Sequence, residues 1–147
     1  MKNKVVYIVI CILGILSALF VSLYTKNTTI PEDSIKEPFV EENIVIYSPL
    51  EGSVISSPLR VSGQARGSWF FEASAPIEVL DENGVSIGQK YITAEGDWMT
   101  TDFVPFSGEV SFVVPAGVSS GFVVFKKDNP SGESKFDESV LVPVRFR

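Results

Sequence analysis

Leu59-Arg60-Val61-Ser62-Gly63-Gln64-Ala65-Arg66 alternates apolar or small side chains with polar ones without a break. In an extended chain successive side chains point to opposite faces. Leu59, Val61, Gly63 and Ala65 therefore share one face, while Arg60, Ser62, Gln64 and Arg66 share the other. That is the signature of a strand buried on one side, and no helical period fits it.

The same texture extends in both directions. Upstream, Ile44-Val45-Ile46-Tyr47 reads as a strand ended by the turn Pro49-Leu50-Glu51-Gly52. Downstream, Ile77 to Leu80 and Val85 to Ile92 flank Asp81-Glu82-Asn83-Gly84, and Asn-Gly suits the positive φ angles of a hairpin turn. Val110, Phe112 and Val114 alternate with polar neighbours, Gly121 to Lys126 predicts a further strand, and Ser139 to Phe146 the last. In that last strand Val140, Val142, Val144 and Phe146 line one face, with Arg145 and Arg147 on the other. Pro143 cannot donate to a ladder, so one side of the strand is expected to be unpaired there. From Asn43 onward no segment keeps a helical period. About seven or eight short strands spaced by turns predict an all-β, antiparallel sandwich.

Residues 25–42 (TKNTTIPEDSIKEPFVEE) lack both apolar periods and read as an extended tether. Asn27-Thr28-Thr29 within it matches a glycosylation sequon, a weak signal by itself. Residues 5–24, VVYIVICILGILSALFVSLY, form an uncharged apolar run. As a helix it would reach roughly 30 Å, the thickness of a bilayer's hydrocarbon core. Lys2 and Lys4 precede the run and Glu32 and Asp33 follow it. The positive-inside bias thus predicts a cytoplasmic N-terminus (1–4), a transmembrane signal anchor (5–24) and an extracytoplasmic domain at 43–147. Cleavage is disfavoured, because Phe20 or Leu16 falls where a small residue is needed ahead of Ser22 or Ala18. Ile10 before Cys11 argues likewise against a lipoprotein. The expected location is the cell membrane, spanned once.

Composition excludes several classes of function. The 147-residue chain carries a net charge of −6, which opposes binding to nucleic-acid phosphates. It has no histidine, which removes His-based catalysis, His-ligated metals and His pH switching. Its single cysteine, Cys11, lies in the apolar run, so the sandwich has no disulfide and no thiolate zinc site.

Several blocks are more distinctive than strand patterning. They are Ser57-Pro58-Leu59-Arg60-Val61-Ser62-Gly63-Gln64-Ala65-Arg66-Gly67, Trp69-Phe70-Phe71-Glu72-Ala73, Gly96-Asp97-Trp98-Met99-Thr100-Thr101-Asp102-Phe103 and Lys127-Asp128-Asn129-Pro130-Ser131-Gly132. In this order they resemble the immunoglobulin-like domain family of bacterial spore germination proteins, from Ile44 to the closing Val-Pro-Val-Arg-Phe. The resemblance implies an immunoglobulin-like fold, a bacterial origin and an envelope location, and it brings no catalytic residues with it.

The candidate contact residues are Trp69, Phe70, Asp97, Trp98 and Asp102. On a strand, Trp69 and Phe71 would fill the core while Phe70 covers an edge; the alternative is an exposed aromatic platform for a sugar or a protein. Trp98 and Phe103 would plug an irregular crossing between sheets, with Asp97 and Asp102 bonded to free backbone amides. The alternative makes Trp98 part of a binding loop. Glu72, Glu95, Asp97 and Asp102 offer carboxylates, but their spacing defines no catalytic pair. Asp128 to Glu133, with Asp137 and Glu138, has calcium-compatible oxygens but the composition of a tight turn. The expectation is a non-enzymatic interaction module that needs no cofactor. Its partner would be another envelope protein or, alternatively, cell-wall glycan held by aromatics.

Overall fold

The computed structural model describes residues 37–147. The expected cytoplasmic N-terminus, the anchor and residues 25–36 of the tether lie outside the described residues. Within them, alternation of side chains produces nine strands. These are β1 (Phe39–Glu41), β2 (Ile44–Ser48), β3 (Ser53–Ile55), β4 (Leu59–Arg66), β5 (Ser74–Asp81), β6 (Ser86–Ala94), β7 (Phe103–Val110), β8 (Ser120–Lys126) and β9 (Ser139–Phe146). No helix among the described residues is long and apolar enough to cross a membrane.

Hydrogen bonds connect the strands in the order β1-β2-β4-β7-β6-β5-β8-β9-β3, one sheet curled on itself. All pairs are antiparallel except β3 with β9. The curl comes at β6, which meets β7 only through Thr93 with Ser107 and Ala94 with Phe106. Two layers result, β1-β2-β4-β7 and β6-β5-β8-β9-β3, and together they form an immunoglobulin-like sandwich.

The inward set of β4 is buried as its alternation requires, and β5, β8 and β9 add Ile77, Val79, Val123, Phe125, Val142 and Val144 from the facing layer. Phe106 of β7 spans the gap, its ring centroid 5.8 Å from that of Phe125. Gly63 is the cross-strand partner of Phe106 and leaves room for that ring. A Cβ at Gly63 would lie 2.6 Å from the Phe106 ring and 2.3 Å from the Val45 carbonyl oxygen. Gly121 does the same for Phe146, where a Cβ would sit 2.8 Å from the ring and 2.1 Å from the Leu80 carbonyl oxygen.

Three expectations change, and the gap expected beside Pro143 is present. The strands number nine among the described residues, because β1 lies within the stretch expected as tether and β3 is too short to show alternation. β7 runs from Phe103 to Val110, whereas the expected strand began at Val110 and the stretch from Phe103 to Phe106 was expected to be irregular. Pro105 within that run has no amide to give a ladder, but its carbonyl accepts from the Glu95 amide at 2.7 Å. Beyond Val110 the alternation persists without a ladder. Phe112 is buried, but its amide bonds to the Ser57 hydroxyl at 2.9 Å. At Pro143, β9 is joined by β3 only from Val144 onward, and the Pro143 carbonyl accepts from the Gly52 amide at 2.8 Å.

Gly63→Ala is expected to lower stability by about 1–3 kcal/mol, the usual cost of overpacking. Gly84→Ala, at φ 78° with nothing near its Cβ position, is expected to cost about 1 kcal/mol through the backbone alone. Urea midpoints of the two variants would rank them, with Gly63→Ala the lower.

Candidate functional site

Antiparallel pairing brings the ends of β4, β6 and β8 and the starts of β5, β7 and β9 to one end of the sandwich. The connections 67–73, 95–102 and 127–138 meet there, beside the turn at 42–43. Backbone bonds knit them together. The Gly67 amide donates to the Asp102 carbonyl at 3.1 Å, Asp128 to Trp69 at 3.0 Å, and Arg66 to Asn43 at 2.9 Å. The Asn43 side-chain amide donates to Glu138 Oε1 at 2.8 Å. Gly67 is required for this closure, since a Cβ would lie 2.2 Å from the carbonyl oxygens of both Trp98 and Thr100.

All five sequence-predicted contact residues lie in these loops, but they divide by exposure. Trp69 is completely buried and Phe70 is 4% exposed, its ring edge-on to Phe106 at 6.4 Å. Phe71, expected in the core, is 43% exposed instead. The reason is local. Gly67–Trp69 is a turn of 3₁₀ helix, closed by the Phe70 amide on the Gly67 carbonyl at 3.1 Å, and the alternation of a strand does not apply. Trp69 and Phe70 both turn inward, which removes them from any surface platform. Burial leaves Trp69 Nε1 without a hydrogen-bond partner among the described residues.

Trp98 packs half-buried against the core. Asp97 Oδ1 accepts from the Met99 amide at 3.0 Å, an Asx turn of the expected kind. Asp102 differs from expectation: its main chain is engaged, with its amide donating to Thr100 Oγ1 at 3.2 Å and its carbonyl accepting from Gly67. Glu95 accepts from the Ser107 hydroxyl at 2.5 Å. The open cleft in this region is lined by Gly67, Ser68, Phe70, Trp98, Met99, Thr100 and Thr101, and no carboxylate borders it.

Sequence reasoning missed the exposed members of the end. Met99 is 77% exposed and Phe136 48%, and with Phe71 they set apolar side chains among acidic ones. Glu72, Glu95, Asp97, Asp102, Glu133 and Asp137 are all exposed here. The acidic loop after β8 is a turn: Asn129 Nδ2 donates to the Glu133 carbonyl at 2.9 Å and to Asp137 Oδ1 at 2.7 Å, and Ser131 donates to Asn129 Oδ1 at 2.6 Å. Among the described residues no cluster of three or more acidic or thiol side chains is placed to hold a metal ion.

One loop is strained. Phe71 and Ser74 exchange backbone bonds at 3.0 Å across Glu72 and Ala73, which adopt φ 49° and 60°. Two successive positive φ angles are those of a type I′ turn, where Asn-Gly is the favoured pair. Ala73→Gly is therefore expected to raise stability by about 1 kcal/mol, seen as a higher urea midpoint.

A second concavity lies on the outer face of β6-β5-β8, a cleft of about 330 Å³ lined by Pro76, Ile77, Glu78, Gln89, Lys90, Tyr91 and Lys126. Lys126 Nζ donates to Glu78 Oε2 in a tight ion pair. Hydrogen bonds from Lys126 and then Ser86 hold the Glu78 carboxyl below its ordinary value of 4.5, against a smaller opposing effect of burial. A lowered folded-state pKa contributes stability that is present above 4.5 and lost as pH falls through the folded value. Glu78→Gln is thus expected to flatten the loss of stability between neutral and acidic pH, measured by urea unfolding across that range.

Two curled layers closed at one end by three connecting loops define an immunoglobulin-like β module. The chain belongs to the family described as the immunoglobulin-like domain of bacterial spore germination, whose model matches residues 43–134, more than half of the sequence. The match stops short of β9, which completes the second layer. No curated protein and no solved structure matches the chain.

Proposed function

We propose that this chain is a membrane-anchored, non-catalytic interaction module displayed outside the cytoplasmic membrane, whose loop end engages another envelope protein. The observation that carries this reading is the polarity of the sandwich. The chain comes into β1 at Phe39, which pairs with Ile46 in the middle of β2, and ahead of it Glu37 and Pro38 border a cleft with Glu51 and Gly52 beyond the far end of β2. The loops that bear Phe71, Met99 and Phe136 lie at the opposite end. The chain thus enters the domain at the end opposite these loops and leaves them uncovered.

The chemistry of that end supports a protein partner. Met99 and the two phenylalanines supply apolar anchors of the kind that dominate interfaces. The surrounding carboxylates favour a surface carrying Lys and Arg, and disfavour anionic polymers. Family membership makes proteins of bacterial spore germination the first partners to try. The glycan reading that relied on Trp69 and Trp98 loses support, since one is buried and the other half-buried.

A photo-crosslinking residue placed at Met99 in the full chain, within intact envelopes, tests the reading. Val113 is the control, 80% exposed on a loop of the other end. A discrete protein adduct from position 99 that is missing from position 113 is expected. Identical adducts from both positions, or none from position 99, would overturn it.

A further inference from the structure

The cleft on the outer face of β6-β5-β8 is remote in role from the loop end, and its residues point to a ligand of their own. Across β5 and β6, Tyr91 stands opposite Pro76, and Gln89 opposite Glu78. Cross-strand partners project to the same side of a sheet. One wall is therefore an aromatic ring beside a proline ring, and the next row is an amide beside a carboxylate. Tyr91 is 58% exposed, although a ring of its size would gain from burial. Lys126 reaches into the row from β8 to pair with Glu78.

We infer that this cleft binds one ring of a neutral polysaccharide strand, with Tyr91 as the stacking platform and Gln89, Glu78 and Lys126 as the polar edge. Three features select that chemistry. The apolar C–H face of a pyranose is complementary to an aromatic face, while its rim of hydroxyls both donates and accepts. Glu78 and Lys126 are already paired, and hydroxyls can bond to both members and leave the pair intact, with Lys90 on the same lining as a further donor. The volume, about 330 Å³, falls at the small end of ligand clefts and suits one ring of a longer chain. The hydrogen bonds from Lys126 and Ser86 that lower the Glu78 pKa favour its carboxylate form, an acceptor.

Calorimetric titration of the full chain in a sugar-free detergent, with the neutral tetrasaccharide of N-acetylglucosamine as probe, tests the assignment. Saturable binding is expected, weakened about tenfold or more in Tyr91→Ala and retained within about threefold in Tyr91→Phe. Because Tyr91 is exposed, the urea midpoints of both variants should match the parent, which separates lost binding from lost folding. Absence of saturable heat, equal binding by Tyr91→Ala, or preference for a carboxylated tetrasaccharide would overturn the inference. The crosslinks from Met99 report the loop end alone, so either proposal can fail without the other.

Discussion

Phe106 lying over Gly63 and against Phe125 is the contact on which the rest of the molecule depends. Immunoglobulin-like sandwiches often tie their layers with a disulfide, and here the domain contains no cysteine. The layers are held instead by side-chain burial, and the aromatic ring that spans the gap needs a glycine beneath it. That requirement links residues far apart in sequence: a side chain at Gly63 would strike both the ring and the backbone of β2. Phe70 sets its edge on the same Phe106 ring. The loop end is therefore seated on the inter-layer contact, which explains how irregular connections there are held in defined positions.

Much of this could be read before folding, wherever one rule of local geometry applied throughout a segment. β4 and β9 follow strict alternation, and their buried sets match it. The hairpin at Asp81 to Val85 forms as expected, although of its Asn-Gly only Gly84 takes a positive φ, 78°, and Asp81 Oδ1 accepts from the amides of Asn83 and Val85 at 2.8 Å each. Reading failed where local geometry switched. The 3₁₀ turn at Gly67–Trp69 shifts the phase of three consecutive aromatics, and nothing in a Gly-Ser-Trp triplet announces it. Phe103 to Val110 hides as a strand because Pro105 lacks a donor, and Glu72-Ala73 is not a pair that advertises a type I′ turn. Of the candidate site, the loops and their residues were legible. Which side chains emerge was not, because exposure depends on how separate loops close over one another.

The ends of the sheet show a second economy of design. A curled sheet has two free edges, and free edges invite pairing with other chains. Here both are three-residue strands, β1 and β3. Arg145 further occupies the β3 side, its guanidinium donating to the Gly52 carbonyl at 3.2–3.3 Å. Short, partly covered edges offer little free backbone for pairing with another chain.

The brevity of β1 also gives the domain a mechanical fuse. Tension applied to the chain ahead of Phe39 falls first on a strand of three residues, paired to β2 alone. Its partly buried Phe39 packs at the margin of the core, so peeling β1 away leaves the Phe106 contact and the β4–β7 ladder whole. Residues 37–43 would then extend by at most about 3.5 Å each. Release of β1 would lengthen the entering chain before any of the central ladders is broken.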